Sequence, residues 1–100
     1  MKVLWTEHSI QDLEGIHDYI SKDSVFFADR QIDKILSCES EISEFPKSGR
    51  TVPEYRDVMI REIIIENYRV IYRIEHEQIS VLTILHGARL LKGLSDTQSM

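Results

Sequence analysis

The sequence predicts an α+β fold of order β-α-α-β-β-β, in which a hairpin of two helices packs on one face of an antiparallel sheet. Two observations lead to this prediction. Apolar residues recur at helical spacing between residues 10 and 45. After them, three β-rich segments are joined by links of two to four residues. Links this short require neighbouring strands to run antiparallel, so the last three strands should form a meander.

The first strand and the first helix are predicted from the start of the chain. Residues 2–6 form a short β-rich run bounded by polar residues, which is typical of a strand. Ser9 followed by Asp12 resembles a capping box, in which side chains satisfy the free N–H groups at a helix start. The apolar spacing after it predicts a helix that runs to about Ser21.

The second helix is predicted to be long. Asp23 and Ser24 are turn and cap residues, and the apolar series that begins at Val25 supports one helix ending before Pro46. Residues 46–57 hold both prolines and several turn-forming residues, so they are predicted to form a loop.

Strands are predicted over residues 58–65, 68–74 and 79–86, and alternation sorts their side chains onto two faces. One face is almost wholly apolar and should lie under the helices: Met59, Arg61, Ile63, Ile65, Tyr68, Val70, Tyr72, Ile74, Ile79, Val81, Thr83 and Leu85. Arg61 is the one charged residue of this set, and it fits there if it reaches out at the edge of the sheet.

The opposite face mixes charged and aliphatic side chains: Ile60, Glu62, Ile64, Arg69, Ile71, Arg73, Leu82, Ile84 and His86. Such a face suits a groove that binds something both apolar and anionic. It equally suits a solvated surface on which the arginines pair with Glu62 and Glu75 across the strands. The pattern leaves both interpretations open.

Composition limits the class of protein. A chain of 100 residues predicts one domain over residues 1–100, with residues 92–100 as a frayed tail. The single cysteine, Cys38, cannot form an internal disulfide. The N-terminus lacks the apolar core of a signal peptide, and no apolar stretch is long enough to span a bilayer. We therefore expect a cytoplasmic protein with no membrane partner.

Charge restricts the possible partners. The net charge is −5, whereas proteins that bind nucleic acid through phosphate contacts normally carry a basic excess. Contact with nucleic acid would have to be local, through a cluster of arginines, and a basic protein partner is equally compatible. His8 and His17 have no convincing metal-binding spacing to a cysteine or aspartate, so neither metal nor cofactor is predicted. The aromatic residues Trp5, Phe26, Phe27 and Phe45 are predicted to pack in the core or between helices.

Five motifs, in order, give the chain a resemblance to the RelE/ParE superfamily of bacterial type II toxins. They extend from residue 3 to about residue 91, and the β-α-α-β-β-β order is also the fold of that superfamily. The residues that carry the resemblance are Trp5-Thr6 with Asp12-Leu13, Ile16 and Tyr19-Ile20; Phe45-Pro46 with Gly49-Arg50 and Val52-Pro53-Glu54; Arg61-Glu62; Tyr68-Arg69-Val70-Ile71-Tyr72-Arg73; and Leu85-His86-Gly87-Ala88-Arg89.

The resemblance implies a growth-inhibiting toxin that a cognate antitoxin protein wraps and blocks. Two mechanisms occur in the superfamily. RelE-like members cleave mRNA in the decoding site of the ribosome, with the 2′-hydroxyl of the RNA as nucleophile. ParE-like members inhibit DNA gyrase without established catalytic residues. The resemblance therefore implies either an endoribonuclease or a gyrase inhibitor, with a slight preference for mRNA cleavage. A non-toxic relative that only binds an antitoxin-like partner is a third interpretation.

The resemblance also suggests site residues. Arg69 matches the RelE-type arginine on the scissile phosphate, and Arg89 matches a second one after the last strand. Guanidinium groups bind phosphate oxygens in a fork and stabilise developing charge. His86 is a candidate general acid or base because imidazole titrates near neutral pH, and Glu54 is a weaker candidate. The predicted binding residues are Arg73, Arg61 and Arg50.

The sequence departs from the RelE pattern at two places. RelE-type enzymes carry lysines on the strand where this chain has Ile60 and Glu62, and a tyrosine where Ser95 stands. Related members use a glutamate, a histidine and a terminal tyrosine, so Glu54 and His86 are the substitutes to consider. Compared with ParE-like members, the chain keeps an arginine, Arg69, that many gyrase-directed proteins lack.

Overall fold

The computed structural model describes residues 1–87. Three α-helices and five strands are present in this part of the chain. In chain order they are β1 (Lys2–Trp5), α1 (Glu7–Ser21), α2 (Val25–Leu36), α3 (Cys38–Glu44), a single 3-10 turn (Pro46–Ser48), β2 (Arg50–Thr51), β3 (Ile60–Ile65), β4 (Tyr68–Ile74) and β5 (Gln78–His86).

The five strands form one sheet in the order β1-β5-β4-β3-β2. Strands β3 to β5 are antiparallel, which confirms the predicted meander. Strand β2 lies in the segment predicted to be a loop and pairs antiparallel with β3, and β1 pairs with β5 in parallel. Glu66 adopts φ = 54° in the two-residue turn between β3 and β4, a conformation that is uncommon for residues other than glycine. Its carboxylate accepts a 2.6 Å hydrogen bond from Lys34 of α2, which fastens this turn to the helices.

The first helix begins earlier than the sequence predicts. Thr6, not Ser9, is its N-cap, because the Thr6 hydroxyl oxygen accepts a hydrogen bond from the N–H of Ser9. The Thr6 hydroxyl also donates to the carbonyl of Val81 at 2.7 Å, so the cap joins the helix start to β5. Asp12, predicted to close the capping box, instead accepts hydrogen bonds from the hydroxyl of Thr83 and the N–H of Ile84.

The predicted long second helix is two helices. Ser24 caps α2 as expected, by accepting a bond from the N–H of Phe27. The chain then turns at Ser37, whose hydroxyl donates to the carbonyl of Lys34 at 2.6 Å. A side chain that bonds its own backbone in this way competes with the helix ladder. Because of the break, α3 continues against β1 and not along α1.

The main core lies between the helices and the first face of the sheet. Its fully buried members come from both layers: Ile35 and Ile42 from the helices, and Val70, Tyr72, Ile79 and Val81 from the sheet. The predicted apolar face is confirmed for β3 and β4, where the register pairs Ile63 with Val70 and Ile65 with Tyr68. Burying large apolar side chains of this kind contributes about 1.5–3 kcal/mol each, so this face holds the two layers together.

The predicted face assignment is wrong for the end of β5. Tyr72 pairs with Val81 but Ile71 pairs with Thr83, so Leu82 is one extra residue on β5. A β-bulge of this kind reverses the alternation of the residues that follow it. As a result Ile84 joins the core under the helices and Leu85 packs on the other face, the reverse of the prediction in each case.

The second face of the sheet is covered by the chain itself. The loop after β2 lays Val52 and Tyr55 against this face, where a second apolar cluster forms with Ile60 and Ile71. Val52 is 1% exposed, so this contact excludes water. The groove that was one of the two interpretations of this face is therefore filled by residues from the loop.

Three of the four aromatic residues that the sequence assigns to packing are largely exposed. Phe26 and Phe27 are each 62% exposed and Phe45 is 59% exposed, so their prediction is wrong, whereas Trp5 packs against the core. None of the helices within residues 1–87 is long and apolar enough to cross a membrane.

Candidate functional site

Arg69 lies in the middle of a buried ion-pair network. Its Nε donates to Glu62 at 2.7 Å, and its two terminal nitrogens donate to the two carboxylate oxygens of Glu54 at 2.9 and 2.8 Å. Arg69 sits on β4 and Glu62 on the neighbouring strand β3, one of the cross-strand pairings that the sequence left open. The contact with Glu54 is the bidentate fork that guanidinium groups form with carboxylates and phosphates.

The network is shielded from water to different degrees. The Glu62 side chain has no exposed surface, and the side chains of Arg69 and Glu54 are 9% and 18% exposed. Glu62 also accepts a 2.5 Å hydrogen bond from the Nε of Arg50, which lies at the open edge of the network. Hydrogen bonding to Glu54 is the main cause that raises the pKa of the Arg69 guanidinium above its usual range, and Glu62 adds to it.

The segment before the loop is anchored beside this network. Tyr72 donates its hydroxyl to the carbonyl of Pro46 at 2.6 Å and accepts a bond from the N–H of Gly49 at 3.1 Å. A Cβ at Gly49 would lie 2.6 Å from the backbone oxygen of Glu62, so only glycine allows this close approach. Arg61 lies on the helix side and reaches the edge of the sheet, where it donates to the carbonyls of Val58 and Gly49.

Arg73 belongs to the same face but to a weaker contact. Its guanidinium is 3.5 Å from the carboxylate of Asp57, and both side chains are more than 40% exposed. Sequence reasoning missed Asp57 as its partner, because a loop residue has no fixed register against a strand. The contacts of Val52 and Glu54 have no sequence signal either, because these residues lie in a turn that is closed by a hydrogen bond from the N–H of Tyr55 to the carbonyl of Val52.

His86 lies on the other side of the sheet from Arg69. Because Leu82 is an extra residue, His86 pairs with Tyr68 and its ring contacts the Tyr68 ring at 5.1 Å, edge to face. It lines a cavity of about 470 Å³ between β5 and α1, together with Asp12 and Tyr19. The structure therefore brings Arg69, Glu54 and Arg50 together and separates His86 from them.

Two further predictions, for Arg89 and for metal binding, do not concern this network. Arg89, the second predicted phosphate ligand, lies outside the described residues. Within residues 1–87, no group of three histidine, cysteine, aspartate or glutamate side chains is close enough to hold a metal ion.

Comparison with known proteins agrees with this architecture. Residues 3–91 match the family described as ParE toxin of type II toxin-antitoxin system, parDE. Toxin RelE2 of Caulobacter vibrioides is 28% identical over 90 residues, which cover 89% of this chain and 98% of that protein.

Two solved structures share the fold. A chain of the chromosomal ParDE system from P. aeruginosa has a TM-score of 0.73 at 20% identity, over 87% of this chain and 96% of its own length. A chain of the toxin-antitoxin complex RelBE2 from Mycobacterium tuberculosis has a TM-score of 0.60 at 19% identity, over 85% of this chain and 95% of its own. The predicted fold and the predicted RelE/ParE resemblance are both confirmed. Since the family match covers nearly the whole chain, this protein belongs to the ParE toxin family of type II toxin–antitoxin systems.

Proposed function

We propose that this toxin arrests growth by binding a protein target, DNA gyrase, and that it does not cleave mRNA. The observation that supports this choice is the pairing of Arg69. An arginine that stabilises a scissile phosphate needs guanidinium donors directed at the RNA. Here each nitrogen of the guanidinium donates to a carboxylate of the same chain, and the side chain is only 9% exposed.

Binding of a phosphate at this position would be energetically unfavourable. It would have to displace Glu54 from the fork and then lie beside Glu62, which has no exposed surface. Separating one partner from a buried ion pair costs about 3–5 kcal/mol, and two like charges at close range repel each other further. The network therefore favours a structural role for Arg69, in which it holds the loop of Val52 to Glu54 on the sheet.

The other candidate groups support the same proposal. Glu54, the candidate base, accepts a hydrogen bond from Arg69 on each of its carboxylate oxygens, and His86 lies on the opposite face of the sheet. The net charge of −5 also opposes binding to ribosomal RNA, which is a dense polyanion.

The partner that neutralises the toxin is proposed to be a cognate antitoxin protein encoded beside it. The two solved structures that share the fold come from toxin–antitoxin systems, which supports a partner of this class. We further propose that the toxin acts in the cytoplasm, where gyrase and its DNA are found.

A pair of assays with purified components tests the proposed target. The toxin is titrated into a gyrase supercoiling reaction, and in parallel into translating ribosomes whose mRNA is examined by primer extension. Supercoiling is expected to stop once the toxin reaches the concentration of gyrase, while the mRNA stays intact. Stoichiometric inhibition is the behaviour of a binding inhibitor and not of a catalyst.

Two variants make the test decisive. Glu54→Gln keeps the size of the side chain and removes a proton-accepting charge, and Arg69→Lys keeps a positive charge and removes the fork. We expect the folded Glu54→Gln protein to inhibit gyrase as well as the parent does. Ribosome-dependent mRNA cleavage that both substitutions abolish in folded protein would overturn the proposal and establish the RelE-like alternative.

A further inference from the structure

The turn between α1 and α2 carries an exposed aromatic surface that the network around Arg69 does not explain. Helix α1 ends at Ser21 and α2 begins at Val25, and large apolar side chains surround this reversal of the chain. Tyr19 is 73% exposed, and Phe26 and Phe27 are each 62% exposed. We name this surface the hairpin tip and define it by Tyr19, Lys22, Val25, Phe26, Phe27 and Arg30.

The side chains of the hairpin tip are arranged by contacts with each other. The rings of Phe26 and Phe27 meet edge to face with centroids 5.4 Å apart. The guanidinium of Arg30 lies 5.7 Å from the Phe26 ring centre, and the ammonium of Lys22 lies 6.0 Å from that of Tyr19. Exposed aromatic residues with a neighbouring arginine are the composition that dominates binding energy in protein interfaces.

Half of the few cations in the helical part of the chain lie at the hairpin tip. Residues 1–46 contain ten acidic residues and four lysines or arginines. Two of those four cations, Lys22 and Arg30, belong to the hairpin tip, and a third, Lys34, lies on α2 one turn beyond Arg30. Lys22 and Arg30 each lie over a ring of the tip. A partner that covers these rings would meet both cations, which indicates an apolar surface with carboxylates around it.

Charge argues against a nucleic acid as that partner. Aromatic rings with lysine and arginine can stack bases and hold phosphates. Residues 18–34, however, contain four aspartates against three cations, so the local charge is negative. Binding through phosphates draws its affinity from excess positive charge, which this surface lacks. The partner is therefore a protein.

Shape and area distinguish between protein partners. The hairpin tip is a convex end formed by two helices, so it fits into a groove of a folded protein. An extended segment would instead need a groove on the toxin in which to lie. Its three aromatic rings expose roughly 400 Å² in total, given about 150–250 Å² for each whole ring. That is about half of the roughly 800 Å² per partner of a stable interface, so self-pairing of two tips would be weak. A groove that surrounds the tip buries its sides as well.

We infer that the hairpin tip is the surface with which the toxin docks on its target protein, and that the target offers an apolar groove with carboxylates at its rim. This inference rests on the proposed function, because it assumes a toxin that acts by binding a protein. It assigns the binding energy to Phe26 and Phe27 and the charge selectivity to Lys22 and Arg30.

The test compares the double variant Phe26→Ser/Phe27→Ser with a matched control, Phe45→Ser. Phe45 is 59% exposed and lies at the end of α3, away from the hairpin tip, so both variants lose exposed phenyl rings. Binding to purified gyrase, growth arrest and binding of the antitoxin are measured for each. We expect at least about a tenfold loss of gyrase affinity and of toxicity for the double variant only, the effect of losing one dominant interface aromatic. Antitoxin binding should stay within about twofold of the parent, a difference too small to mark a lost interface contact.

The charge at the tip provides a second comparison. Arg30→Glu should weaken gyrase binding and Arg30→Lys should preserve it, because carboxylates at the rim of the groove repel only the first. If both variants bind gyrase equally well, the inference that the rim of the groove carries carboxylates is wrong.

Each other outcome also decides the inference. Unchanged toxicity of the double variant would overturn it, as would a loss of antitoxin binding with toxicity kept, which would assign the tip to the antitoxin. A parent protein that is a dimer, with a monomeric double variant, would assign the tip to self-association. If the parent does not bind gyrase, the proposed target is wrong. Growth arrest then decides the inference alone: it stands if Phe45→Ser is toxic and the double variant is not.

Discussion

Replacing Arg69 by alanine distinguishes a structural arginine from a catalytic one. The substitution removes the guanidinium that forms the fork with Glu54 and one of the two bonds to Glu62, whose side chain has no exposed surface. Removing one partner of a buried ion pair costs about 3–5 kcal/mol. Because Arg50 still donates to Glu62, we expect the lower end of that range, about 3 kcal/mol.

Urea denaturation followed by circular dichroism measures this loss. A small protein loses about 1–3 kcal/mol of stability for each molar of urea, so a loss of about 3 kcal/mol should lower the midpoint by roughly 1–3 M. Arg73→Ala is the matched control on the same strand. Its pair with Asp57 is long, at 3.5 Å, and exposed, so its removal should change the unfolding free energy by about 0–1 kcal/mol.

The reasoning about Arg69 has a clear refutation. If Arg69→Ala is as stable as Arg73→Ala but has lost toxicity, the guanidinium is not needed to compensate the two carboxylates. Residues that serve catalysis are commonly placed at a cost to stability, so their removal often leaves stability intact or improves it. That result would make Arg69 available to a phosphate and would favour RNA cleavage.

Three further changes test other parts of the structure. Gly49→Ala should lower the unfolding free energy by about 1–3 kcal/mol, because the new Cβ would lie 2.6 Å from the hydroxyl of Tyr72. Thr6→Ala should cost about 1–2 kcal/mol, since it removes both the N-cap of α1 and a bond to β5; urea denaturation measures both losses. Burial first, and then the carboxylates of Glu41 and Glu39, raise the pKa of the Cys38 thiol to about 11. At pH 8 iodoacetamide should therefore modify the folded protein at least roughly 100-fold more slowly than the unfolded chain.

Each of these expectations has an outcome that contradicts it. Wild-type stability of Gly49→Ala would mean that the turn after α3 moves freely away from β3. An unchanged Thr6→Ala protein would show that Ser9, as the sequence first indicated, caps the helix. Equal rates of Cys38 modification in folded and unfolded protein would show that the thiol is not shielded by the core.

The sequence predicts the fold well because local signals determine most of it. Alternation and short turns fix β3 and β4 and the face that they bury, and these predictions hold residue by residue. The prediction fails after Leu82. The face of each β5 residue was counted from the nearest hairpin, and one extra residue in the strand exchanges the two faces for all residues that follow. No local pattern marks that residue. The strand after the bulge is held by Asp12, which is far away in sequence and accepts a hydrogen bond from the N–H of Ile84.

The candidate site is predictable only in part, for a related reason. The cross-strand pairing of Arg69 with Glu62 follows from strand geometry, and it is one of the alternatives that the sequence leaves open. The contribution of Glu54 depends on where a loop folds, and loops have no period from which a register can be derived. The face for which the sequence left open the binding of an apolar and anionic group is thus occupied by Val52 and Glu54, both supplied by the loop.

The parallel pairing of β1 with β5 determines when, during synthesis, the sheet of the toxin can be completed. Thr6, at the end of β1, bonds to Val81, 75 positions later in the chain. At about 5–20 residues per second, a ribosome takes roughly 4–15 s to make the intervening segment. Once residue 44 is made, all three helices have been synthesised, but the strand that must lie between β1 and β4 does not yet exist. The fold of the toxin therefore cannot be completed until several seconds after β1 is synthesised.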